Sequence, residues 1–130
     1  MRRRNHIRLG IAAALLGAVL ACNTPSVPLP PPDLPALSFQ SAQMTPAGLV
    51  VLQGKPSTRH ADARFYVYDL GQGDGVITSA AHDGSFTTSP FSGADGDLVQ
   101  IYFDSPEGER SQNACVQLHV GAPLLSISCF

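Results

Sequence analysis

The sequence predicts an all-β fold: a single antiparallel sandwich of about seven or eight short strands over residues 36–130. Three observations carry that expectation. Short runs rich in valine, isoleucine, leucine, phenylalanine and tyrosine recur along these residues, and clusters of glycine, aspartate, proline and serine separate them. No stretch after Ala36 keeps helical periodicity over three turns. Such runs bury one face each most simply by packing two sheets together.

In chain order the predicted strands are residues 37–41, 49–53, 63–70, 76–81, 86–89, 98–104, 114–120 and 124–130. Their separators are turn chemistry: glycine tolerates positive φ, proline fixes its own φ, and aspartate caps through its carboxylate. Examples are Gly71-Gln72-Gly73-Asp74-Gly75, Asp83-Gly84 and Gly93-Ala94-Asp95-Gly96-Asp97. Alternation assigns faces. Val99, Ile101 and Phe103 share one side of their strand, with Gln100, Tyr102 and Asp104 on the other. Phe65, Val67 and Asp69 oppose Arg64, Tyr66 and Tyr68, a less clean split. The three tyrosines read as amphipathic strand residues or as an aromatic platform for sugar.

Residues 1–35 stand outside this pattern. Arg2, Arg3, Arg4 and Arg8 precede thirteen uncharged residues, 9–21. That run is shorter than the roughly 20 residues a membrane-spanning helix needs, but it fits the core of an export signal. A short buried helix is the alternative. Residues 23–35 hold six prolines and no aromatic residue, which favours extended polyproline II reaching about 40 Å at roughly 3.1 Å per residue. It reads as a disordered spacer, or else as a ligand for a proline-recognising groove.

The junction Val19-Leu20-Ala21-Cys22 resembles the lipobox of bacterial lipoproteins. The resemblance implies cleavage between Ala21 and Cys22 and acylation of the Cys22 thiol, which would hold an exported protein at a membrane. The expected organisation is a signal peptide over 1–21, a tether over 22–35 and the sandwich over 36–130, the first boundary and the anchor being what the lipobox resemblance of residues 19–22 implies. Asn23, where enteric inner-membrane retention uses aspartate, favours the outer membrane. Without residues 1–21, four basic residues (Lys55, Arg59, Arg64, Arg110) face ten acidic ones, a net charge of −6. A domain so charged has no electrostatic footprint for nucleic acid.

The order Ala63-Arg-Phe-Tyr-Val-Tyr-Asp69, Asp83-Gly84-Ser85-Phe86, Gly96-Asp97-Leu98-Val99-Gln100-Ile101 and Asp104-Ser-Pro-Glu-Gly-Glu-Arg-Ser111 resembles bacterial Ig-like domains and their carboxypeptidase-regulatory-like relatives. It spans about residues 47–111. It implies a sandwich used for cell-surface architecture or adhesion, and brings no catalytic residues. The polar segment 55–62 departs from that pattern.

In an exported domain Cys115 and Cys129 are candidates for a disulfide. A hairpin centred on residue 122 puts them directly opposite one another. The apolar pattern, Val116, Leu118 and Val120 with Leu125, Ile127 and Cys129, favours a one-residue slip that would separate them. His60, His82 and His119 fall on different elements and read as solvent-facing residues near turns; a zinc site would need them to converge with a carboxylate such as Asp62. Asp74, Asp83, Asp95 and Asp97 would be the ligands if loops at one end of the sandwich gathered calcium; no other cofactor is indicated. Residue patterns for serine, cysteine or metal hydrolysis are absent, so no enzyme is expected. The expected role is structural, adhesive or ligand-presenting in the cell envelope. The alternative is a small binding module for carbohydrate, calcium or an envelope protein, acting through its acidic loops.

Overall fold

Nine strands form among the described residues: β1 Leu37–Ser41, β2 Leu49–Gly54, β3 Arg64–Asp69, β4 Asp74–Ser79, β5 Phe86–Thr87, β6 Phe91–Ser92, β7 Leu98–Asp104, β8 Ala114–Gln117 and β9 Ser126–Ile127. The structure is a computed structural model and describes residues 27–42 and 48–129. The export signal, the Ala21–Cys22 cleavage and acylation of Cys22 therefore lie outside the described residues.

The strands pair antiparallel in two sheets, one ordered β1-β2 with β5 and β6 end to end along β2, the other β4-β3-β7-β8-β9. This is the predicted all-β sandwich. β1 and β7 occupy their predicted residues. β6 lies beyond the predicted strand 86–89, just after Pro90, which has no N–H to donate to a ladder. In fact β5 and β6 are two halves of one strand position along β2, and Thr88 bridges the break. Its N–H donates to the Leu52 carbonyl at 3.0 Å, and its hydroxyl accepts from the Leu52 N–H at 2.9 Å. β4 starts two residues earlier than predicted, because Asp74 pairs with Asp69 and the turn is the four residues between them.

The inner faces meet in one core. Phe39, Leu52 and Phe91 from the four-stranded sheet pack with Phe65, Val67, Val99, Ile101 and Val116 from the other. Phe65 stacks on Phe86 with centroids 4.2 Å apart. Each such side chain contributes about 1.5–3 kcal/mol by leaving water.

Cys115 and Cys129 are bridged, with Cα atoms 5.3 Å apart. The register is neither of the two the sequence suggested. Cys115 pairs with Ile127 and Val116 with Ser126, so Cys129 lies diagonally from Cys115 on the same face, two residues on. The one-residue slip fails because β8 ends at Gln117, leaving Leu118 and Leu124 to reach the core from outside the ladder.

The proline-rich segment also departs from expectation. Leu29 forms a parallel bridge with Ser111, Pro32 is buried, and Leu29 and Leu34 pack against the core. A segment that sequence alone leaves as spacer up to residue 35 is thus docked from Leu29 onward. Its apolar rings cover apolar surface, and its carbonyls remain available as acceptors.

Candidate functional site

Residues at one register position of successive strands line up across a sheet, and alternate positions share a face. On the five-stranded sheet this sets Gly75, Tyr68, Gln100 and Cys115 in one outer row and Ile77, Tyr66 and Tyr102 in the next. Tyr66 and Tyr102 stand directly opposite and stack, with centroids 4.8 Å apart and planes within 9°. Arg110 lies over both rings. Its guanidinium lies 4.8 Å from the Tyr102 centroid and 5.5 Å from that of Tyr66, while its Nε and Nη2 donate to Asp104 at 2.9 and 3.2 Å. That pairing holds the Asp104 carboxyl below its ordinary range, chiefly through the hydrogen bonds from Arg110.

Gly75 shapes the rest. A Cβ there would stand 2.9 Å from the Tyr68 ring and closer still to the Val67 carbonyl, so the missing side chain lets the tyrosine lie across the strand. A groove of about 390 Å³ results, lined by Tyr66, Tyr68, Gly75, Ile77, Gln100 and Tyr102. Tyr68 is 44 % exposed and Ile77 65 %. Among the described residues, the ionisable side chains lining it are tyrosine phenols, so it offers ring surface, hydroxyls and one amide.

The acidic residues are spread over both ends of the sandwich. Asp69, Asp74, Asp95 and Asp97 lie at one end, and Asp83 lies at the other, where its backbone carbonyl accepts from Ser57. The four aspartates anticipated as calcium ligands therefore do not share a site. Each carboxylate already has a local partner. Asp74 accepts from the Ser92 and Gly75 N–H groups, Asp83 from Ser85, Asp97 from the Ala94 N–H and the Gln72 amide, and Asp95 pairs with His119 at 2.8 Å. Among the described residues no three His, Cys, Asp or Glu side chains are grouped to hold a metal ion.

Asp69 explains the uneven face pattern of its strand. Its side chain points inward, fully buried, and Oδ1 accepts from the Gly71 and Gln72 N–H groups at 2.8 and 2.9 Å, closing the hairpin. Oδ2 has no donor. Burial first, and then the neighbouring Asp97 carboxylate, push the Asp69 carboxyl up from its ordinary value against the opposing backbone hydrogen bonds.

The histidines divide. His82 and His119 are exposed as expected, and His82 meets Asp62 at 2.7 Å. His60 is not: it is fully buried, held in a short 3-10 turn, Thr58–His60, between the rings of Phe65 and Phe103. Nothing in the polar run around it signalled that burial. In comparisons with known proteins, no family model, no curated protein and no solved structure matches this chain.

Proposed function

We propose that this protein is a lipid-anchored binding module of the bacterial envelope, acylated at Cys22, whose contact surface is the tyrosine groove and whose ligand is an uncharged polysaccharide. The observation that carries the reading is an open groove with three tyrosines on a sheet face turned to water. Contiguous exposed apolar surface of this kind marks contact sites more often than scattered single residues do. The chemistry selects the ligand. A sugar ring presents C–H faces to aromatic rings and hydroxyls to phenols and to the Gln100 amide, and the groove offers no unpaired charge to attract an ionic partner.

Two or more acyl chains give stable anchoring where one is marginal. Cys22→Ser should therefore release the protein from membranes, and a variant that stays membrane-bound refutes the anchor. For the groove, amide chemical shifts are followed while neutral oligosaccharides are titrated. Perturbations should centre on Tyr66, Tyr68, Gly75 and Gln100; saturation without shifts there, or shifts centred elsewhere, contradict the site.

A further inference from the structure

Residues 28–33 read Pro-Leu-Pro-Pro-Pro-Asp, so this stretch has two backbone N–H groups, those of Leu29 and Asp33. Both are held by the sandwich. Leu29 donates to the Arg110 carbonyl at 3.3 Å and accepts from the Gln112 N–H at 2.8 Å. Asp33 donates to Nε2 of His60 at 3.0 Å. Arg59 adds a bond from its guanidinium to the Pro31 carbonyl at 2.6 Å, and Ser57 donates to the Asp33 carboxylate at 3.4 Å.

The acceptor for Asp33 fixes the state of the histidine. Nε2 must be unprotonated to accept, so the proton of the neutral ring sits on Nδ1, which has no partner. Phe65 approaches the ring edge-on at 4.9 Å and Phe103 at 5.5 Å. Neither β3 nor β7 presents a titratable group to it. The charged neighbours are Asp33 on the docked segment and Arg59 in the same turn.

We propose that the segment Leu29–Asp33 is a releasable strap, clasped by neutral His60 and let go when that imidazole gains a proton. A proton on Nε2 sets a donor against the Asp33 N–H and places a charge in a fully buried site beside Arg59. Lifting the strap exposes the ring to water and leaves the Asp33 carboxylate able to pair with it. The strap is the smallest unit whose opening achieves this. It lies N-terminal to β1, and its hydrogen bonds to the sandwich run to residues between the strands, Ser57, Arg59, His60, Arg110 and Gln112. Burial lowers the affinity of docked His60 for a proton, with Asp33 opposing and Arg59 reinforcing. The docked state binds protons more weakly than the released state, whose exposed imidazole has the ordinary histidine value of about 6.5. Docking is thus at full strength above that pH and weakens as pH falls below it. If Cys22 carries the anchor, as proposed above, release adds about 16 Å of tether between membrane and sandwich, five residues at roughly 3.1 Å each.

The test is backbone amide exchange on the full-length protein in detergent, resolved by NMR and corrected for intrinsic rates. Between pH 7.5 and pH 5, protection at Leu29, Asp33 and Gln112 should fall at least tenfold while Val67 and Ile101 keep theirs. His60→Gln supplies a non-titrating acceptor and should hold the strap at both values. Should that variant misfold, Asp33→Pro serves instead. Asp33 sits at φ −75°, which proline accepts, so the change removes the donor with little backbone strain, and the strap should be open at every pH. Retained protection at pH 5 in the wild type, or loss that spreads to Val67 and Ile101, overturns the proposal. Failure of Cys22 acylation would remove only the change in stand-off.

Discussion

The two sheets present similar inner faces and dissimilar outer ones. Inside, each contributes phenylalanines and aliphatic residues to one core. Outside, the four-stranded sheet shows water Ser38, Gln40, Gln53 and Thr87 beside the half-buried Leu49 and Val51, whereas the five-stranded sheet sets Tyr66, Tyr68, Ile77 and Tyr102 among Arg64, Gln100 and Asp104. Folding explains the inner resemblance, because both faces must leave water together. It does not explain the outer difference, since polar residues would complete the second face equally well. A feature that the fold does not require is where function is best sought.

The comparison breaks most severely if the inner faces prove unequal. Phe39→Ala and Phe65→Ala should each cost about 3–5 kcal/mol of unfolding free energy in denaturant melts, because both side chains are wholly buried. A cost below about 1 kcal/mol at either would mean that its sheet does not share the core. Next in size is the disulfide, which belongs to the five-stranded sheet alone. It closes a loop of 14 residues, and the double substitution Cys115→Ala, Cys129→Ala should cost about 3 kcal/mol. An unchanged midpoint would show that β9 is held without it.

The counterpart on the four-stranded sheet is Thr88. Thr88→Val keeps the shape but leaves the buried Leu52 N–H without an acceptor, an expected loss of about 1–3 kcal/mol. Smaller, and opposite in sign, is Asp69→Asn. The buried carboxyl has a raised affinity for its proton, so its stabilising state is the protonated one, present at low pH and lost as pH rises above the ordinary carboxylate range. Asparagine still accepts from Gly71 and Gln72 and can donate to Asp97. The variant should melt higher than the wild type at pH 7, with the gain shrinking towards pH 3. An unchanged or lower melting temperature at pH 7 would show that Oδ2 already has a donor.

How much of this was legible in the sequence varies with the range of the interaction. β1 and β7 were readable to the residue because strict alternation between two turn clusters marks both ends. The pairing of Cys115 with Cys129 was readable from their number and setting, but its register was not: hairpin symmetry assumes a ladder running to the turn, and β8 stops at Gln117. β6 escaped because Thr88 repairs the ladder with its side chain, something a propensity pattern cannot express. Asp74 and Gly75 read as turn residues, yet the hairpin closes earlier, on Asp69. The tyrosines were visible as an outer row, but the groove needed the cross-strand neighbour Gly75, which register alone supplies. The burial of His60 and the docking of Leu29–Asp33 are one long-range event between segments that each look polar or structureless alone.

The central claim is that the outer faces differ because one of them binds. It is tested most directly by matched variants of the two, Tyr66→Ser with Tyr68→Ser against Gln40→Ala with Gln53→Ala, each measured for co-sedimentation with isolated neutral envelope polysaccharide. Half-exposed residues tolerate such changes, so both proteins should stay folded, with melting temperatures close to the wild type. The account predicts at least a tenfold loss of retention for the tyrosine pair and wild-type retention for the glutamine pair. Equal retention of the two folded variants would contradict it.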